Sequence, residues 1–115
     1  MDVLLFSGEH ADVTIILNGG EKKMAHFLVF FSRCKEICHE ILDAKGLKIL
    51  EAWSHLTKNV VASFLNYLYS GLMDLEIHTP EDSESVVYLS QCYPSLVTWR
   101  FYVDTIVKND YDQNQ

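Results

Sequence analysis

The residues best equipped for chemistry are Cys34, Cys38 and His39, with His26, His55 and Cys92 elsewhere in the chain. Thiolate and imidazole are zinc ligands, and Cys34 and Cys38 stand one helical turn apart, close enough to share an ion. They also fall on one stripe with Ile37 and Ile41, where a free cysteine behaves as a small hydrophobe. His39 points off that stripe, and no second short-spaced ligand pair follows, so no metal is assigned. His26 carries the side chain of a general base, but nucleophile and base meet in space and the sequence pairs nothing with it. It reads as a hydrogen-bonded structural anchor near Asp12.

Three other groups invite a chemical reading. Glu81, Asp82 and Glu84 cluster carboxylates as a cation would require, yet they open a helix, where the positive end favours acids. Gly19-Gly20 is too short to cradle phosphate and lacks the following lysine-hydroxyl pair. Tyr67 and Tyr69 offer rings for stacking on bases without the interleaved basic residues of such a platform, so they read as packing at the core edge. No catalytic residue and no cofactor site is assigned, and the chain is not expected to be an enzyme.

Length and composition narrow the class. A chain of 115 residues with 49% hydrophobic and 12% aromatic residues suits one folded domain with a real core. The net charge of −7, with only nine Lys and Arg, argues against direct nucleic-acid binding. Three cysteines without framework spacing fit a reducing compartment. Met1–Phe6 lacks the basic and long apolar regions of a signal peptide, and Phe27–Phe31 is far too short to cross a membrane. An intracellular, soluble protein is expected, with no membrane partner.

The elements that must position these residues follow from periodicity. Val13, Ile15 and Leu17 alternate with Thr14 and Ile16, Asn18-Gly19-Gly20 signals a hairpin, and Glu21–Ala25 is the return strand. The period then turns helical from Phe27. Cys34, Ile37, Cys38, Ile41 and Leu42 predict a second helix, with Gly46 as its stop. Leu47–Leu50 reads as a third strand. Thr57 caps a helix bearing Val60, Val61, Phe64, Leu65 and Leu68, ended by Ser70-Gly71. Thr79-Pro80-Glu81-Asp82 opens another that should run to about Cys92, before Pro94. Leu96, Trp99, Val103, Ile106 and Val107 mark the last, and residues 109–115 read as a polar, disordered tail after a domain spanning 1–108. The class is α+β: a small three-stranded sheet capped by about five or six helices.

The ordered set Ala11-Asp12-Val13-Thr14-Ile15, Ala25-His26 and Phe64-Leu65-Asn66-Tyr67-Leu68-Tyr69-Ser70-Gly71 resembles the BTB/POZ domain over roughly Asp12 to Val107. The resemblance implies that fold and a role in holding proteins together. In such domains the first long helix and the segment before it build a two-fold dimer interface. Here the matching residues are Val3, Leu4, Leu5, Phe6, Phe27, Phe30 and Phe31, with Asp12 and His26 as anchors. Phe27–Phe31 is apolar all round, which independently calls for cover on every side: from the chain's own core through Leu28 and Phe31 or Val29, and for the rest from the N-terminal segment, a partner chain or both, with a thick monomeric core as the alternative. The expected function is to homodimerise a larger intracellular scaffold and so gather its other partner proteins.

Departures from the family pattern rank the alternatives. Repressor-type members carry a basic residue after the Ala-His pair, opposite the strand aspartate; Phe27 stands there, against corepressor binding in a transcription factor. Cullin-3 ubiquitin-ligase adaptors show hydrophobic-x-Glu in the loop after the second helix, and Asp43-Ala44-Lys45-Gly46 lacks it. Arg33-Cys34 and Tyr67-Leu68-Tyr69 are similar to the BTB domain of scaffolds that gather DNA-repair nucleases, which favours the nucleus over the cytoplasm.

Overall fold

A computed structural model describes the backbone of residues 10–113 and the side chains of residues 10–106. Strand β1 (Val13–Ile16) turns back into β2 (Lys22–Ala25) through one tight turn at Asn18–Gly20, where Gly19 and Gly20 take φ of 84° and 87°. Only glycine holds two such angles in succession without a Cβ penalty. The ladder is antiparallel from Val13↔Ala25 to Ile16↔Lys22. Val13 and Ile15 are fully buried on one face while Thr14 and Ile16 are half-covered on the other, as the alternation predicts.

Two short helices follow, α1 (Phe27–Arg33) and α2 (Lys35–Cys38), separated by Cys34 in an extended conformation with φ −154°. The stripe from Cys34 to Leu42 predicts one continuous second helix, and here the structure differs. Helix occupies only four of those residues, and Leu42–Ala44 form a strand, β3, paired antiparallel with β4 (Leu47–Leu50). Lys45 and Gly46 take φ of 54° and 81°, the two successive positive angles of a tight hairpin turn. Gly46 therefore turns a hairpin rather than ending a helix. The hairpin lays β4 parallel to β1, Val13↔Lys48 to Ile15↔Leu50, and the sheet order is β2-β1-β4-β3. The sheet thus has four strands, not three: backbone pairing to β4 overrides a stripe of only five apolar residues.

The rest is helical. Thr57 Oγ1 accepts from Val60 N at 3.4 Å and opens α3 (Lys58–Ser70), which buries Val60, Val61, Phe64, Leu65 and Leu68. Gly71 in left-handed geometry closes it. Thr79 Oγ1 accepts from Asp82 N at 3.1 Å and opens α4 (Pro80–Cys92), which stops where Pro94 disfavours helix at Tyr93. Helix α5 (Val97–Gln113) buries Trp99 and Val103, and its backbone continues through residues 109–113. The result is α+β, with a four-stranded sheet and five α-helices among the described residues.

The core is aromatic. Trp53 meets Phe30, Phe64 and Tyr93 edge-on at 6.1, 5.4 and 6.4 Å, and Phe64 meets Trp99 at 4.9 Å. Trp53 Nε1 donates to Tyr93 Oη at 2.8 Å, so the indole is buried without an orphaned donor. No helix among the described residues is long and apolar enough to cross a membrane.

Candidate interaction surface

The surface of interest is set by the joint between β2 and α1. Asp12 N donates to Ala25 O at 3.0 Å, and Asp12 Oδ1 accepts from Phe27 N at 2.8 Å. One residue therefore ties the entrance of β1 to the first turn of α1 and satisfies a helix N–H that has no intrahelical partner. His26 N donates to Tyr69 Oη at 2.9 Å, and His26 Nδ1 shares a hydrogen bond of 2.7 Å with the same hydroxyl. Burial raises the Tyr69 pKa, so the phenol stays protonated. The joint clamps α1 to both β1 and the end of α3.

These anchors fix the rotation of α1. Val29 and Phe30 turn inward, 2% and 0% exposed, while Leu28 and Phe31 stand outward at 71% and 48%. Phe27 is half-buried and stacks on Phe31 with centroids 6.3 Å apart. Lys48 Nζ lies 5.1 Å over the Phe27 ring and Lys35 Nζ 5.0 Å over Phe31, so each ring carries a cation on its face. Two corrections follow. Phe30, expected at a dimer interface, belongs to the chain's own core against Trp53. The inward face is formed by Val29, one of the residues expected there, and Phe30, while Leu28 and Phe31 stand outward. Periodicity identifies an all-apolar helix but cannot supply its phase; the Asp12 and Tyr69 hydrogen bonds do. Val3, Leu4, Leu5 and Phe6 lie outside the described residues.

Lys48 reaches from β4 to within 3.9 Å of Asp12 Oδ2 while covering Phe27. Both side chains are more than a third exposed, and such a pair contributes about 0–1 kcal/mol. The loop Asp43–Gly46, expected to follow a second helix, is instead the end of β3 and its turn.

The residues considered for chemistry take other parts. Cys34 is buried with Sγ 4.0 Å from Ser95 Oγ, and burial pushes its thiol pKa up, as it does for Cys38. Ser95 Oγ also donates to Glu36 Oε1. Asp82 is buried at the start of α4, where Oδ2 accepts from His78 N at 3.0 Å and Asn59 Nδ2 at 3.4 Å. Among the described residues, no three His, Cys, Asp or Glu side chains converge as a metal ion would require. Tyr69 serves the joint, and Tyr67 packs on Trp99 at 5.4 Å. The chain matches none of the protein-family models it was scanned against. A search of curated proteins finds no relative.

Proposed function

We propose that this chain is a BTB/POZ domain that homodimerises a larger intracellular scaffold protein. The observation that carries this reading is the outward face of α1. Leu28 and Phe31 are large apolar side chains left open beside Phe27, on a helix held rigidly by Asp12 and His26. The α+β order, with β1 flanked by an antiparallel and a parallel neighbour below helices, is compatible with that fold.

A two-fold axis through this face presents Leu28 and Phe31 twice. At about 1.5–3 kcal/mol per side chain removed from water, four such groups supply about 6–12 kcal/mol gross. Phe31 is already half-covered, so the lower end applies. A micromolar dimer needs about 8 kcal/mol net, after several kcal/mol of lost translational and rotational freedom. The proposal therefore requires the apolar Val3–Phe6 segment to join the same interface. Dimerisation then doubles the valency of whatever the scaffold carries, raising avidity without new contacts.

Light scattering at low micromolar concentration tests the reading. The parent chain is expected to be a dimer, and the double variant Leu28→Asp with Phe31→Asp a folded monomer. A monomeric parent, or a dimer indifferent to both aspartates, overturns it. Purified cullin-3 is expected not to be retained; its retention would replace the scaffold with a ubiquitin-ligase adaptor.

A further inference from the structure

A second surface lies on α4, away from the joint that anchors α1. No Lys or Arg occurs between Lys58 and Arg100, while Asp74, Glu76, Glu81, Asp82 and Glu84 all fall in that interval. Lys58 itself is held by Glu21 at 2.8 Å. Asp82 is buried in capping bonds and Glu76 meets His78 at 3.4 Å, but Glu81 and Glu84 are exposed and form no ion pair among the described residues. Between them and the turn before α3 lies a hollow of about 260 Å³, lined by His55, Leu56, Glu81, Glu84, Ser85 and Tyr88. Its wall is built: the His55 and Tyr88 rings meet edge to face at 4.5 Å, and Ser85 Oγ is fixed by Thr57 N at 3.0 Å. Small-molecule sites occupy roughly 300–1,000 Å³, so this hollow suits a single side chain.

An adjoining hollow of about 340 Å³ shares Glu84 and Tyr88 and continues over Val87 and Gln91 with mainly carbon lining. The Tyr88 hydroxyl pairs with Cys92, which together with burial pushes its pKa up to about 12. The ring is therefore neutral at any physiological pH, and a neutral phenol ring attracts a cation to its face.

We propose that this pair of hollows binds an extended peptide of a partner protein through an arginine and the apolar residue that follows it. The guanidinium stacks against Tyr88 and pairs with Glu84 or Glu81, a fork that lysine cannot reproduce. The neighbouring apolar side chain enters the hollow over Val87. Uncompensated carboxylates exclude phosphate-bearing and other anionic partners. The carbon-lined second hollow selects a peptide over a free polyamine, which has no apolar group to place there.

The test titrates the isotope-labelled chain with the acetylated, amidated hexapeptide Ser-Gly-Arg-Leu-Gly-Ser, following backbone amides by NMR. Saturable shifts are expected at His55, Glu84 and Tyr88, together with weaker binding at higher salt. Glu84→Lys, at an exposed position, should keep the fold and lose about tenfold in affinity, or about 1.4 kcal/mol. The Leu28→Asp with Phe31→Asp variant should bind normally, which separates this inference from the dimer reading. Absence of saturable shifts up to millimolar peptide, shifts centred on α1, undiminished binding by Glu84→Lys, or equal binding of spermidine would each overturn it.

Discussion

Asp82 shows how one carboxylate can look like a ligand and act as a clasp. Thr79 and Asp82 cap one another's turn: the threonine hydroxyl accepts from Asp82 N, and the carboxylate accepts from His78 N. Burial would raise the Asp82 pKa. Hydrogen bonds from the Thr57 hydroxyl, His78 N, Asn59 and Thr79 outweigh it and hold the pKa below the ordinary 3.8. A depressed carboxyl stabilises the fold fully above its unfolded pKa and loses that contribution as the pH falls through the folded one. Asp82→Asn should therefore cost about 1–3 kcal/mol at neutral pH, with the deficit shrinking below about pH 4. Urea melts across that range check it, and a deficit independent of pH would refute the charge argument. Thr79-Pro80-Glu81-Asp82 was legible as a helix start because capping is chemistry between near neighbours. The bond from Asn59, on another helix, was not.

Elements differ in how far local signals define them. Helix α3 is written in its own residues: a threonine cap, five buried apolar side chains at helical spacing, and Gly71 at φ +81°. Nothing lies within 4 Å of a Cβ added to Gly71, so Gly71→Ala meets no clash and pays only for left-handed geometry. A loss of about 1–2 kcal/mol is expected in thermal melts, and an unchanged midpoint would show the turn can relax. Strand β3 is the opposite case. Leu42, Asp43 and Ala44 are all exposed, and they are a strand only because β4 lies beside them. Helical spacing of Ile41 and Leu42 with the cysteines pointed elsewhere, since an edge strand with no buried face leaves no period-two imprint.

At the scale of the molecule, neighbouring phenylalanines have separate fates. Phe30 is packed against Trp53 in the aromatic core and Phe31 opens to solvent. Phe30→Ala should cost about 3–5 kcal/mol, a large share of a domain's typical 5–15. In dilute fluorescence melts Phe31→Ala should cost no more than about 1 kcal/mol. Equal losses would mean that α1 is rotated from the position described. The α+β class, the first hairpin and the three capped or glycine-ended helix boundaries were present in residue order, because each follows from patterns within a few positions; the aromatic core was not, since Trp53 meets Phe30 and Tyr93 across tens of residues. Which face of α1 looks outward, that a fourth strand exists, and that Glu84 and Tyr88 share a hollow with His55 were decided only by packing. Those features depend on the relative placement of segments tens of residues apart, where hydrogen bonds from Asp12 and Tyr69 and pairing between β1 and β4 choose among arrangements that local periodicity leaves equivalent.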